Sequence, residues 1–276
     1  MNKLQPLIKW GGGKNNEIKH FRKYYPSDYK VYIEPFVGGG SVFFDLEFNT
    51  NVISDVHPEL INFYQQIQKG NALEIHGLVS NWKPDKKTYY YIRDEYIPND
   101  ELEKAAVFYY IRKTCFRGML RYNKAGKFNI PFGYYDKINI DSMRSPERYE
   151  KIFKNSIIGC IGFQEIFDIF NSTDNFVFLD PPYDSTFTDY GYCQFNQKDH
   201  IELANLFKTT KNKCLLIIGK TDFIYELYKD YIIDQYFKRY QFKIYADRIN
   251  KNIDNYHLVI ANYQPPDRFF KKLFGE

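Results

Sequence analysis

The sequence predicts an α/β protein: a doubly wound, mostly parallel sheet with an antiparallel end, interrupted by an inserted, mainly helical segment. Three observations predict it. Short apolar, β-branched runs alternate with helical stretches along most of the chain. The first run ends in the glycines Gly38, Gly39 and Gly40, a strand-to-helix turn. Between about residues 70 and 150 the alternation stops, and the chain becomes rich in Tyr and charge.

Taken in order, Val31–Glu34 is a buried strand running into Pro35 and the glycines, and Ser41–Leu46 forms the first turns of a helix. Asn51–Ser54 is a second strand, ended by Asp55. Pro58 suits the first turn of a helix through Leu60, Ile61, Tyr64 and Ile67, which Gly70 stops. Two helices are predicted in the middle segment, over 87–96 and 101–113. The alternation resumes with a strand at 156–160 and the strongly apolar Asn175–Leu179. A helix at 197–207, a strand at 214–218, a helix at 223–229 and a final pair of strands, the last at 257–262, complete the chain.

With 276 residues, 44% of them apolar, the chain can bury a sizeable core. No apolar run approaches the ~20 residues of a membrane span, and no apolar leader opens the sequence, so no membrane partner and a cytoplasmic location are expected. Cys115, Cys160, Cys193 and Cys214 stand far apart without His at ligand spacing, which predicts reduced thiols and no metal. The net charge of +4 is too small to identify a partner, but its distribution is informative. Arg112, Lys113, Arg117, Arg121, Lys124, Lys127 and Lys137 face Asp136 alone, interleaved with Phe116, Tyr122, Phe128, Phe132, Tyr134 and Tyr135. Such a tract suits phosphate contact and base stacking, and equally a solvated loop.

Three constellations carry chemistry. Glu34-Pro35-Phe36-Val37-Gly38-Gly39-Gly40, followed by Asp55 at the next strand end, is the arrangement in which backbone approaches a nucleoside ligand and a carboxylate accepts from ribose hydroxyls. It fits neither GxGxxG nor GxxxxGK[ST]. Asp180-Pro181-Pro182-Tyr183 follows a buried strand. Adenine's amino nitrogen is a poor nucleophile because its lone pair is delocalised. The Asp180 carboxylate and Pro181 carbonyl together can hold both amino hydrogens and aim that lone pair at a methyl group. The prolines donate no backbone hydrogen, and Tyr183 offers a stacking face for a base swung out of a duplex. Lys9-Trp10-Gly11-Gly12-Gly13-Lys14 supplies an aromatic plane, backbone donors and two cations. Each motif also has an ordinary reading, as a tight turn, a strand terminator or an N-terminal loop.

In this order and spacing the motifs resemble the Dam/DpnII-type (D12 class) adenine-N6 DNA methyltransferases. Arg121-Tyr122-Asn123, Phe128-Asn129-Ile130-Pro131-Phe132-Gly133, Phe187-Thr188, Tyr190 and Phe195 also resemble family segments, so the similarity covers essentially the whole chain. The resemblance implies a Rossmann-like methyltransferase sheet dependent on S-adenosyl-L-methionine, formed by 1–57 and 144–276, with 58–143 as target-recognition domain. It places Trp10, Lys14, Glu34, Pro35, Phe36, Gly38, Gly39, Gly40, Asp55, Phe163 and Asp180 around that cofactor, with no metal. Asp180, Pro181, Pro182 and Tyr183 would hold the flipped adenine. Lys9, Phe116, Arg117, Arg121, Asn123, Lys127 and Pro131 would meet double-stranded DNA, Lys9 and Arg121 as base readers. A GATC-like site, a cognate restriction endonuclease as partner and a monomer in solution are further expectations.

Three residues depart from the family pattern. Gly11 replaces the more usual Ala or Thr, Gly162-Phe163 stands where Asp-Phe is frequent, and Arg117-Gly118 replaces the frequent Asn-Gly. The second removes an acidic contact expected at the cofactor, and the third leaves the target sequence open. The alternatives are a methyltransferase of RNA or of protein glutamine, in which Asn more often opens the catalytic motif, and a regulator that binds the cofactor without catalysis.

Overall fold

The computed structural model describes residues 3–123, 125–184, 195–241 and 252–266. Lys124, Phe187, Thr188, Tyr190 and Cys193, named above, lie outside them. Among the described residues there are seven strands and ten α-helices. In chain order these are α1 (Ile18–Phe21), β1 (Val31–Glu34), α2 (Ser41–Leu46), β2 (Asn51–Ser54), α3 (Pro58–Gln68) and α4 (Ala72–Ser80). They continue with α5 (Lys86–Asp94), α6 (Glu101–Thr114), α7 (Glu147–Lys154), β3 (Ser156–Gly159), α8 (Phe163–Ile169) and β4 (Asn175–Leu179). The last are α9 (Gln197–Thr209), β5 (Lys213–Gly219), α10 (Asp222–Tyr228), β6 (Ile232–Gln241) and β7 (Asn252–Ala261).

By contact the chain divides into two compact units. The first takes the described residues of Met1–Asn16 and Val31–Phe163, and the second those of Glu17–Lys30, Gln164–Thr188 and Phe195–Glu276. In the first, three parallel strands run in the order β3-β2-β1, with Tyr32 opposite Asn51 and Asn51 opposite Ser156. Every residue of β2 is buried, as expected of a strand covered on both faces. Phe43 and Phe44 of α2 meet Phe153 of α7, and Tyr64 of α3 meets the same ring, so helix packing here is largely aromatic. Gln65 and Gln68 of α3 donate to carbonyls of Ile158, Phe153 and Ser156, which ties α3 to the edge of β3.

In the second unit the order is β4-β5-β7-β6. β4 and β5 are parallel, whereas β5 with β7 and β6 with β7 are antiparallel, giving the mixed end the sequence predicts. All five residues of β4 are buried. Helix starts follow their capping residues: His57 for α3 with Pro58 at its first position, Asp85 for α5, Asp100 for α6, an Asn196–Asp199 capping box for α9 and Thr221 for α10.

The predicted elements are present with ends shifted by a few residues. The middle segment departs from prediction: α4 and α7 form where no helix was expected, and α8 follows β3 directly. Cys115 and Cys214 are buried, Cys160 is exposed, and all three are free thiols. No described helix is long and apolar enough to cross a membrane.

Candidate active site

In the first unit, β1 delivers Glu34 and Pro35 into the glycine turn. Gly38 (φ 45°) and Gly40 (φ 70°) both take the left-handed region, where a side chain would be strained. A Cβ on Gly38 would stand 2.7 Å from Nε1 of Trp10, and one on Gly39 would stand 2.9 Å from Trp10 Cβ. Two of the three glycines thus admit the Trp10 side chain, a closeness the sequence had assigned to a ligand alone. Tyr64 locks the turn from α3, donating to the Gly38 carbonyl at 2.7 Å. Glu34 is buried and accepts from the Tyr32 hydroxyl at 2.7 Å. Phe36 and the buried Phe163 bring their rings to 5.7 Å. Lys14 is also buried, its ammonium donating to the Gly12 carbonyl at 2.9 Å.

Asp55 closes this group. One carboxylate oxygen accepts from Gly38 N and the other from His57 N, each at 3.0 Å. These bonds favour the ionised form, yet burial outweighs them and raises its pKa to about 6. A third backbone bond, from Val56, also favours the ionised form.

His57, which the sequence reading did not single out, links this turn to the basic tract. Its Nδ1 accepts from Leu60 N at 3.2 Å, so Nε2 carries the proton and donates to the Tyr122 hydroxyl at 2.7 Å. Tyr122 in turn donates to Glu59 at 3.2 Å. Burial, helped by the Arg112 charge, lowers the pKa of His57 to about 4 and keeps it neutral. Its ring also meets Trp10 edge-on at 5.5 Å. The only local sign in the sequence is its place as N-cap before Pro58.

The tract itself folds as an irregular hairpin. Isolated bridges pair Cys115 with Phe132 and Tyr122 with Phe128, and Phe116 N donates to the Pro131 carbonyl at 2.8 Å. At the tip, Asn123 Oδ1 accepts from Ala125 N and Lys127 N, each at 3.0 Å, so this side chain shapes the turn. Arg117, Arg121, Asn123, Lys127 and Pro131 are exposed, and Phe116 is half-buried. Arg121 Nε donates to Asn129 Oδ1 at 2.8 Å, and the Arg117 guanidinium lies 5.2 Å from the Phe116 ring centroid.

Arg112 does not belong with these surface cations. It is 1% exposed, and its guanidinium donates to the carbonyls of Lys9 at 2.6 Å and Met119 at 2.8 Å, and to that of Gly118. It pins the N-terminal segment to the hairpin. Gly118, at φ 64°, lies so close that a Cβ there would collide with Lys9 Cβ. Lys9 itself is exposed, its ammonium 3.6 Å above the Tyr135 ring and donating to the Lys113 carbonyl at 3.2 Å. Burial and the neighbouring Lys9 charge lower the Lys113 pKa to about 8.

In the second unit, the chain leaves β4 at Asp180. Asp180, Pro182 and Tyr183 are half-buried, and Pro181 is buried. The Tyr183 ring meets His257 of β7 edge-on, centroids 5.2 Å apart at 83°. The next residue, Asp184, accepts from Thr221 at 3.3 Å, the residue that caps α10. Among the described residues no cluster of three or more His, Cys, Asp or Glu could hold a metal ion.

Comparison with known proteins agrees with these motifs. Residues 10–264 match the model of the D12 class N6 adenine-specific DNA methyltransferases. The chain is 50% identical over 262 residues to the Type II methyltransferase M.CviBI of Paramecium bursaria Chlorella virus NC1A, covering 94% of this chain and 100% of that one. It is 32% identical to the Type II methyltransferase M.MjaIII of Methanocaldococcus jannaschii, covering 94% and 99%. It is 31% identical to the DNA adenine methylase of Vibrio cholerae, covering 79% and 81%. A family match spanning nearly the whole chain, over a mixed α/β fold with Asp-Pro-Pro-Tyr at a buried strand end, has one meaning: the chain belongs to the D12 class N6 adenine-specific DNA methyltransferases.

Proposed function

We propose that the protein transfers a methyl group from S-adenosyl-L-methionine to the exocyclic amino group of adenine in a GATC-like site of double-stranded DNA. The observation that carries this reading is Asp180-Pro181-Pro182-Tyr183 at the carboxyl end of β4, a run of acceptors without backbone donors at its two prolines. The residues around the glycine turn fit the cofactor: Asp55 is a buried carboxylate able to accept from a ribose hydroxyl, beside an aromatic pair and left-handed glycines. Trp10, Lys14, Glu34, Pro35, Phe36, Gly38, Gly39, Gly40, Asp55, Phe163 and Asp180 would hold it. The cofactor, when bound, supplies an electrophilic methyl.

The chain does the rest. Asp180 and the Pro181 carbonyl accept the two amino hydrogens of adenine, drawing its nitrogen toward a pyramidal shape with the lone pair free to attack. Pro182 keeps that edge without a competing donor, and Tyr183 stacks on the extruded base. The region 58–143 serves as target-recognition domain, with 1–57 and 144–276 catalytic. Lys9, from the catalytic region, and Arg121, from the target-recognition domain, read guanines, while Phe116, Arg117, Asn123, Lys127 and Pro131 make the remaining contacts. The relatives named Type II methyltransferases support a cognate restriction endonuclease as partner. A monomer in solution completes the proposal.

Sequencing methylated adenines in DNA exposed to the protein tests the site. One motif containing GAT is expected, and methylation without sequence preference contradicts the reading. Arg121→Ala should cost about 1–3 kcal/mol and relax one base position. An unchanged motif would remove Arg121 as a reader.

A further inference from the structure

We infer that His257, gripped by the buried carboxylate of Glu17, is a positioning residue that sets the ring plane of Tyr183 for the extruded base; this rests on the reading of Tyr183 given above. Two prolines carry the chain out of β4, but the Tyr183 side chain still has two torsions of its own. Its ring meets His257 edge-on at 5.2 Å and 83°, and its hydroxyl lies 3.5 Å from His257 Nδ1. Edge-to-face contact has a preferred geometry, so the orientation of one ring constrains the other.

His257 is held in its own orientation. It lies on β7, opposite Tyr236 of β6 and Gly219 of β5, and is 1% exposed. Its Nδ1 stands 2.8 Å from Glu17 Oε2 and donates to it, which fixes both the protonated nitrogen and the ring plane. Glu17 is itself 4% exposed. The same oxygen accepts from the Tyr236 hydroxyl at 2.8 Å, and Oε1 takes the Lys238 ammonium at 2.5 Å. Tyr236 stacks on His20, ring centroids 4.7 Å apart and 6° from parallel. Turning the His257 ring would therefore deprive a buried carboxylate of a donor. Filling this volume needs only an apolar side chain, and a buried charged cluster is costly to assemble. What the cluster adds is a fixed direction for the ring beside Tyr183.

The test is a double-mutant cycle on the full chain, with His257→Leu made in the wild type and in Tyr183→Ala. Single-turnover methyl transfer and the fluorescence of 2-aminopurine at the target adenine are read at saturating duplex. Calorimetric affinity for S-adenosyl-L-methionine and the melting temperature are measured beside them. His257→Leu should lower transfer by roughly tenfold to a hundredfold and reduce the fluorescence rise, as expected when a reacting partner is misplaced by about 1 Å. Cofactor affinity should stay within about twofold, because the effect runs through Tyr183. Glu17→Gln should act in the same direction, and His257→Gln should restore part of the loss. In the Tyr183→Ala background His257→Leu should add nothing. Equal losses in both backgrounds, or full turnover in His257→Leu, overturn the inference. If His257→Leu does not fold, His257→Gln and Glu17→Gln carry the same cycle. Full transfer and fluorescence in Tyr183→Ala alone would instead remove the reading of Tyr183.

Discussion

Two neighbouring residues make the pH response of the first unit a difference of opposing effects. Burial raises the Asp55 pKa from 3.8 to about 6. Its contribution to stability is therefore full below pH 3.8, falls as pH rises and is gone above about pH 6. His57 runs the other way: lowered from 6.5 to about 4, it contributes fully above pH 6.5 and loses that contribution as pH falls toward 4. Between pH 4 and 6 the two should largely cancel in the wild type. In His57→Gln the Asp55 effect is no longer opposed, and the raised pKa of Glu59 acts in the same direction, so urea midpoints should fall as pH rises through this window, and a flat or rising profile would contradict the assignment. Arg117 supports a second prediction. It occupies the left-handed region at φ 54°, where Asn is at ease and an Arg is strained. This gives a physical reason for the family's frequent Asn at this position. Arg117→Asn should stabilise the fold by about 1 kcal/mol in urea unfolding, even where it alters DNA affinity.

At the scale of elements, the strands were legible because each is a short apolar run with a sharp end. The helices missed were not. α4 carries Gly77 and leaves Leu73 exposed, which blurs its stripe. α7 buries Tyr149, Ile152 and Phe153 behind an otherwise charged face and merges with the charged insertion. Asp-Pro-Pro-Tyr and the glycine turn stood out as candidates because they have chemistry in their residue types. His57 and His257 did not, since a lone histidine among apolar neighbours has no spacing signal and takes its role from pairing across the fold. Arg112 shows the converse, a cation counted with the basic tract that is instead spent on three backbone carbonyls. Those bonds join the Lys9 segment to the hairpin, and losing them leaves buried acceptors unpaired at about 1–3 kcal/mol each. Arg112→Met should lower urea stability by roughly 3 kcal/mol and flatten discrimination among base-substituted duplexes. Unchanged discrimination in the folded variant would mean that Lys9 is positioned without it.

At the scale of the whole molecule, each chemical motif stands where a parallel strand ends: the glycine turn after β1, Asp55 after β2 and Asp180 after β4. Open α/β sheets bind ligands at the carboxyl ends of their strands, which is why strand pattern and motif order together pointed to one chemistry. The family match from residue 10 to 264 spans all of them. The central claim is that Asp180 activates the amino nitrogen of adenine in DNA. Its most direct test is single-turnover transfer of labelled methyl from S-adenosyl-L-methionine to a duplex, with the products digested to nucleosides and separated by mass. The wild type should give N6-methyladenine in DNA, and Asp180→Ala, folded to the same melting temperature, should be slower by ~100- to 1000-fold, as when one preorganised acceptor is lost. Label in RNA or protein instead of DNA, or near wild-type turnover by Asp180→Ala, would contradict it.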